Sequence, residues 1–254
     1  MPAPPSIGGI PLPRGVPLQA WLALWRTLRV YHRYEVRGLE RLDGLGAALL
    51  VAYHGRPIAH DQCMLTATLY ERYGYMPHGV VHGAVESNRL MTWVSDDLGF
   101  ITGDGAATEE AVRRGELLMV QPGGTREGCR SFRRRYEVDW GERTGYLRLA
   151  LRHRLPIVPV AATGVDDAYL GLNDGYVWGK RLHVPLRLPL WLGIGPTGLW
   201  PLSPPFPVKI TTVIGEPIDV SDTSPTDRAG LLALHRRVGG AVQGLLDEAN
   251  RRAR

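Results

Sequence analysis

Three short apolar runs constrain this chain most: AALLVAY over 47–53, ELLMV over 116–120 and PIVPVA over 156–161. Each is too short for an ordinary helix and apolar at almost every position, so it reads as a strand covered on both faces. Between and around them the apolar spacing is helical, over 57–73, 85–97, 106–114, 142–153 and 227–252. Further strands are expected at 33–37, 79–82 and 208–214. Strand–helix alternation of this kind predicts an α/β fold with one largely parallel central sheet flanked by helices. A chain of 254 residues can build one such domain with a sizeable core. No internal repeat or domain-sized linker interrupts it.

The first 17 residues, MPAPPSIGGIPLPRGVP, alternate proline and glycine too often for regular structure and read as a flexible arm. The domain is expected to fill 18–254. It opens on a helix in which Leu18, Trp21, Leu22, Trp25 and Leu28 recur at helical spacing, bordered by Arg26, Arg29 and Arg33. That is the composition of a helix lying in a membrane interface, with Trp21 and Trp25 as its contacts. The bland alternative is a helix packed on its own core. Residues 182–207 are apolar yet broken by proline and glycine every few positions. They suit an irregular segment that wraps a lipid, dips into an interface or seals the core.

No stretch is long and apolar enough for an ordinary transmembrane helix, and no secretory signal opens the chain. A cytoplasmic protein, peripheral on the cytoplasmic face of a membrane, is expected. The net charge of +5 suits an anionic partner: a lipid surface, coenzyme A or an acidic carrier protein. Nucleic acid is not expected, since no basic stripe with interleaved aromatics appears. Cys63 and Cys129 match no zinc spacing and read as two free thiols, and no metal is expected.

Two polar clusters follow the apolar strands. After AALLVAY comes His54-Gly55-Arg56-Pro57-Ile58-Ala59-His60-Asp61. Carboxyl ends of parallel strands are where α/β folds place their sites. Gly55 permits a sharp turn and Pro57 suits the first position of the next helix. With such a turn Asp61 points back at His54, and a histidine held by a carboxylate is a general base. The alternative is a loop histidine beside a helix-capping aspartate. After ELLMVQ comes Pro122-Gly123-Gly124-Thr125-Arg126-Glu127-Gly128-Cys129-Arg130. Paired glycines allow close approach to a ligand, and Arg126, with Arg56 and Arg130, can neutralise phosphate. A tight turn carrying surface arginines fits the same residues.

Together these blocks resemble the glycerolipid acyltransferase family. The matching pieces are His54 with Asp61, Leu98-Gly99-Phe100-Ile101, Gln121 to Glu127 and Leu155 to Val160. The tail, Leu199 to Pro205 and Val213 to Ile218, resembles the diacylglycerol-acyltransferase and phytyl-ester-synthase branch. The resemblance covers about residues 35–220. It implies a membrane-surface O-acyltransferase with His54 and Asp61 catalytic. Arg56, Gly123, Gly124, Thr125, Arg126 and Glu127 would bind substrate. No cofactor is implied: acyl-CoA or acyl carrier protein is the co-substrate, and a lipid hydroxyl is the acceptor.

The departures are informative. Six residues separate His54 from Asp61, more than the family's four or five, and His60 stands next to Asp61 as a second candidate base. Where phosphate-binding members carry a further arginine this chain reads Thr102-Gly103-Asp104, and Gly123 replaces a glutamate. A neutral acceptor is therefore expected over a phosphorylated one. Two other readings compete: a nucleophile-bearing hydrolase, disfavoured because no G-x-S-x-G elbow is present, and a non-catalytic lipid- or membrane-binding protein that keeps the fold.

Overall fold

The structure, a computed structural model, describes residues 6–7, 10–11, 15–81, 101–102, 105–182, 190–224 and 226–253. The expected helix at 85–97, Leu98 to Phe100, and Gly103 with Asp104 lie outside these, as does 183–189. In the N-terminal arm, β1 (Ser6–Ile7) and β2 (Ile10–Pro11) pair as a short antiparallel hairpin.

Among the described residues, seven strands form the central sheet: β3 (Glu35–Arg37), β4 (Leu49–Ala52), β5 (His78–Val81), β6 (Ile101–Thr102), β7 (Leu118–Val120), β8 (Ile157–Thr163) and β12 (Thr211–Ile214). Separately, β9 (Leu170–Gly171), β10 (Gly193–Gly195) and β11 (Gly198–Leu199) make a small antiparallel sheet. The central order is β3-β12-β8-β4-β7-β5-β6, parallel throughout except where β12 meets β8.

Strands β4 and β8 are buried at every position. The two faces of β4 feed different cores, Leu49 and Val51 into one and Leu50 and Ala52 into the other. This alternation is why the run is continuously apolar. The helices are α1 (Gly15–Tyr31), α2 (His60–Tyr73), α3 (Ala106–Arg113), α4 (Gly124–Gly128), α5 (Gly145–His153), α6 (Gly175–Arg181) and α7 (Arg228–Ala253).

Helix α1 departs from the interfacial expectation. Trp25 is only 3% exposed, and the half-buried Trp21 donates its indole N–H to Thr66 of α2 at 3.0 Å. Arg26 and Arg29 both pair with Glu71, at 2.8 and 2.6 Å. Trp25 is thus a core residue, Trp21 is tied to α2, and two of the border arginines are paired within the domain, while Val16, Leu24 and Val30 of the same helix stay exposed. Helix α2 also starts later than expected. Ala59 takes a left-handed conformation (φ 52°) and the helix begins at His60, so Pro57 is not its first residue.

Candidate active site

Strands β8, β4 and β7 are parallel neighbours, so their carboxyl ends open on one edge of the sheet. Beyond β4 stand Tyr53 and His54, beyond β7 the turn into α4, and beyond β8 Gly164, Val165 and Asp166.

The His54 imidazole is half-buried, and its Nδ1 lies 3.0 Å from the Gly55 carbonyl. A carbonyl only accepts, so Nδ1 carries the proton and Nε2 keeps its lone pair. Desolvation, opposed by that hydrogen bond, pushes the imidazole down to about 4, so it is neutral at physiological pH. Its backbone N–H donates to Glu127 Oε2 at 3.0 Å. The two sequence clusters are therefore joined at one residue.

Asp61 does not hydrogen-bond this ring. It is fully buried, Oδ2 accepts from Gln62 Nε2 at 2.8 Å, and among the described residues Oδ1 has no hydrogen-bond partner. The first turn of α2 does aim it back as expected: a Cβ built on Gly55 would sit 2.8 Å from Asp61 Oδ1 and closer still to Val165. Only glycine fits there. The direct His54–Asp61 bond gives way to contact through the Gly55 turn because the longer loop and late helix start bring the carboxylate against the backbone. Burial raises the Asp61 carboxyl to about 7.

His60 is a different kind of histidine. Its ring packs against Tyr169, Trp25 and His32, with centroids 6.1, 5.8 and 6.4 Å away, and it is 5% exposed. Among the described residues its Nδ1 has no partner. It is a core residue.

The remaining expected site residues divide between struts and open surface. Glu127 is fully buried, and its Oε1 accepts from the Asp139 N–H at 2.8 Å. A Cβ on Gly123 would land on the Glu127 carboxylate, which explains the glycine. Arg56 is likewise fully buried, donating to the Arg130 and Asp166 carbonyls and facing the Asp166 carboxylate at 3.7 Å. Arg130 bonds the carbonyls of Glu127 and Glu137 and lies over the Tyr53 ring, 4.8 Å from its centroid. Arg126 remains partly open but forms a fork with Asp139, 2.9 Å on each side. Thr125 is exposed.

Asp166 is a residue the sequence did not single out. Fully buried, it accepts from Tyr53 OH at 2.5 Å, Arg56 N at 3.1 Å and Tyr136 N at 2.9 Å. The available signal was a polar residue just past the carboxyl end of a buried parallel strand. Arg143, also missed, holds the carbonyls of Pro122 and Gly123 at 3.0 and 2.7 Å. The free thiols are poor nucleophiles: burial raises both, Cys129 to about 12.

Comparison with known proteins bears on this arrangement. The acyltransferase family model matches residues 33–163, which contain His54, Asp61 and the turn into α4. The chain belongs to the acyltransferase family. Among relatives of this acyltransferase, a mouse protein named "DGAT1/2-independent enzyme synthesizing storage lipids" is 28% identical over 222 residues, covering 87% of this chain and 62% of that one. Its chicken counterpart is 29% identical, covering 87% and 65%. The chain thus spans a little over three-fifths of these relatives' length. An uncharacterised protein of Mycobacterium tuberculosis is 31% identical over 213 residues, covering 78% and 55%. The crystal structure of the 1-acyl-sn-glycerophosphate acyltransferase from Thermotoga maritima has the same fold, with a TM-score of 0.55, 16% identity, and 91% and 79% of the two chains covered.

Proposed function

We propose that this acyltransferase moves a fatty acyl group from a thioester donor to the hydroxyl of a neutral lipid at a membrane surface. The observation that carries the reading is the tautomer of His54. A half-buried imidazole with Nδ1–H on Gly55 O presents an unprotonated Nε2 at the mouth of the strands. Nε2 takes the proton of the acceptor hydroxyl as its oxygen bonds to the thioester carbonyl carbon. The tetrahedral intermediate collapses by breaking the carbon–sulfur bond, and the leaving thiolate takes the proton from the imidazolium. Glu127 and Gly55 hold the base in place. Asp61 acts on it through the Gly55 turn and, once ionised, favours the imidazolium.

The membrane face is assigned to the outcrop around the small sheet. Among the described residues, nine of the fifteen exposed large apolar side chains lie between 170 and 202. They include Leu172, Trp178, Leu182, Leu190, Leu192 and the 93%-exposed Leu202. Such a concentration is costly in water and suits a lipid interface. Among the described residues no helix is long and apolar enough to cross a membrane. The relatives named for storage-lipid synthesis support a neutral acceptor.

The test is incubation of purified chain with labelled acyl-CoA or acyl carrier protein and a panel of lipid acceptors in vesicles. A labelled ester absent with His54→Ala is expected. Ester formation undiminished in that variant would refute the assignment of the base.

A further inference from the structure

Helix α6 has two unlike faces. Trp178 and, just past the helix end, Leu182 are both exposed and belong to the apolar outcrop. Tyr176, Val177, Lys180 and Arg181 instead line a cavity of about 520 Å³ together with Arg126, Arg134 and Asp174. Its wall therefore carries four cations and one carboxylate.

Arg126 and Arg134 are already paired with Asp139, at 2.9 and 3.0 Å. Lys180 and Arg181 make no ion pair among the described residues, and the half-buried Tyr176 ring has neither an aromatic nor a hydrogen-bonding partner there. The cavity thus offers two unspent cations beside an unstacked aromatic ring. Phosphate is the anion such groups take, and a planar base is what the ring would stack on.

The helix lining the cavity is also tied to the segment that supports the base. The Gly175 N–H donates to the Cys129 carbonyl at 2.7 Å, which pins the start of α6 to the residue following α4. Asp174 caps α6 through Val177 N at 3.1 Å and faces Arg134 at 3.6 Å. Gly128, at the end of α4, touches the His54 ring.

We propose that this cavity binds the adenosine phosphates of a coenzyme A thioester, leaving the pantetheine arm to carry the thioester to His54. The proposal rests on the acyl-transfer reading and selects the nucleotide donor over a carrier protein. A carrier brings one phosphate and no base, so it would leave the Tyr176 platform unused.

The probe is free coenzyme A, titrated calorimetrically into the full chain, which needs no turnover. The double variant Lys180→Glu/Arg181→Glu should bind it at least tenfold more weakly, about 1.4 kcal/mol. Tyr176→Ala should weaken it several-fold, and His54→Ala should bind like wild type. Circular dichroism controls for folding, since the substituted cations are exposed. Undiminished coenzyme A binding in the double variant, or an unchanged KM for acyl-CoA, overturns the site while leaving the transferase reading intact. Binding lost in the double variant, with no transfer from acyl-CoA by wild type to any acceptor, sustains the site and sinks the transferase reading. Absence of coenzyme A binding, with transfer from acyl carrier protein lost in the double variant, overturns it in favour of a protein-docking surface.

Discussion

The ring of His54 rests on Gly128: a Cβ there would stand 2.6 Å from Cε1 and 2.8 Å from Nδ1. The same Cβ would also stand 3.0 Å from the Pro57 carbonyl oxygen, so the imidazole would have to move. Gly128→Ala should therefore lower kcat by about 10²-fold, the usual cost of misplacing a reacting group by ~1 Å. Circular dichroism should show a folded chain with a modestly lowered Tm. Wild-type turnover in this variant would mean that the ring position is unimportant.

The two histidines of the loop should separate cleanly. His54→Ala is expected to lose about 10²–10⁴-fold in turnover with little change in stability. His60→Ala removes a ring packed between Tyr169 and Trp25, so it should cost about 1–3 kcal/mol in denaturant unfolding. The folded fraction should keep its activity. A dead but fully stable His60 variant would reverse the assignment.

Asp61 should reveal itself through pH. Its folded carboxyl titrates near 7, above the ordinary 3.8, because it is buried. The native state thus holds the proton more tightly than the unfolded chain. The stability this contributes is present below 3.8 and lost as pH rises through about 7. Asp61→Asn should accordingly be more stable than wild type at pH 8, with the difference closing toward pH 4. Since His54 is already neutral in this range, kcat/KM should climb through pH 7 as Asp61 ionises, and Asp61→Asn should flatten that limb. A flat wild-type profile would remove Asp61 from catalysis.

The sheet was legible because its central strands are apolar on both faces. Leu49 to Ala52 and Ile157 to Thr163 admit few other readings. The site was legible as two clusters, since glycines and polar residues interrupt apolar runs where strands end. What joins them was not. The bond from His54 N to Glu127 spans 73 positions. Asp166, reaching Tyr53 and Arg56, lies more than a hundred positions away. Helical spacing at Trp21 and Trp25 specifies an apolar face without saying what covers it, and here α2 does. Likewise, an arginine's charge is visible in sequence but its partner is not, so Arg56 read as a ligand for substrate and proves to be a buried strut.

Membrane binding should follow the outcrop rather than α1. Trp178→Ser with Leu182→Ser removes two exposed apolar side chains and should weaken sedimentation with phospholipid vesicles several-fold at unchanged Tm. Trp25→Ser should instead destabilise the fold by about 3–5 kcal/mol, because the indole is buried. Vesicle binding lost on Trp25→Ser at full stability would restore the helix to the membrane.

Acceptor choice follows from how the arginines near the base are spent. A phosphate on the acceptor would need a cation close to His54. Arg56 faces Asp166 and bonds two carbonyls, and neither group reaches water. Arg130 is held by the carbonyls of Glu127 and Glu137 and faces the Glu127 carboxylate at 3.4 Å. Withdrawing either would leave a buried carboxylate uncompensated, at a cost of roughly 3–5 kcal/mol. Arg126 is more exposed, but its fork is closed on Asp139 and it opens onto the α6 cavity. A neutral hydroxyl asks none of these residues to change partners. Transfer to diacylglycerol or a long-chain alcohol should therefore exceed transfer to lysophosphatidate at least tenfold in kcat/KM, measured in the same vesicles with the same donor. Arg126→Ala should leave that ranking unchanged. A preference for lysophosphatidate that disappears in Arg126→Ala would show instead that Arg126 leaves Asp139 to meet a phosphate, and the neutral-acceptor reading would fail.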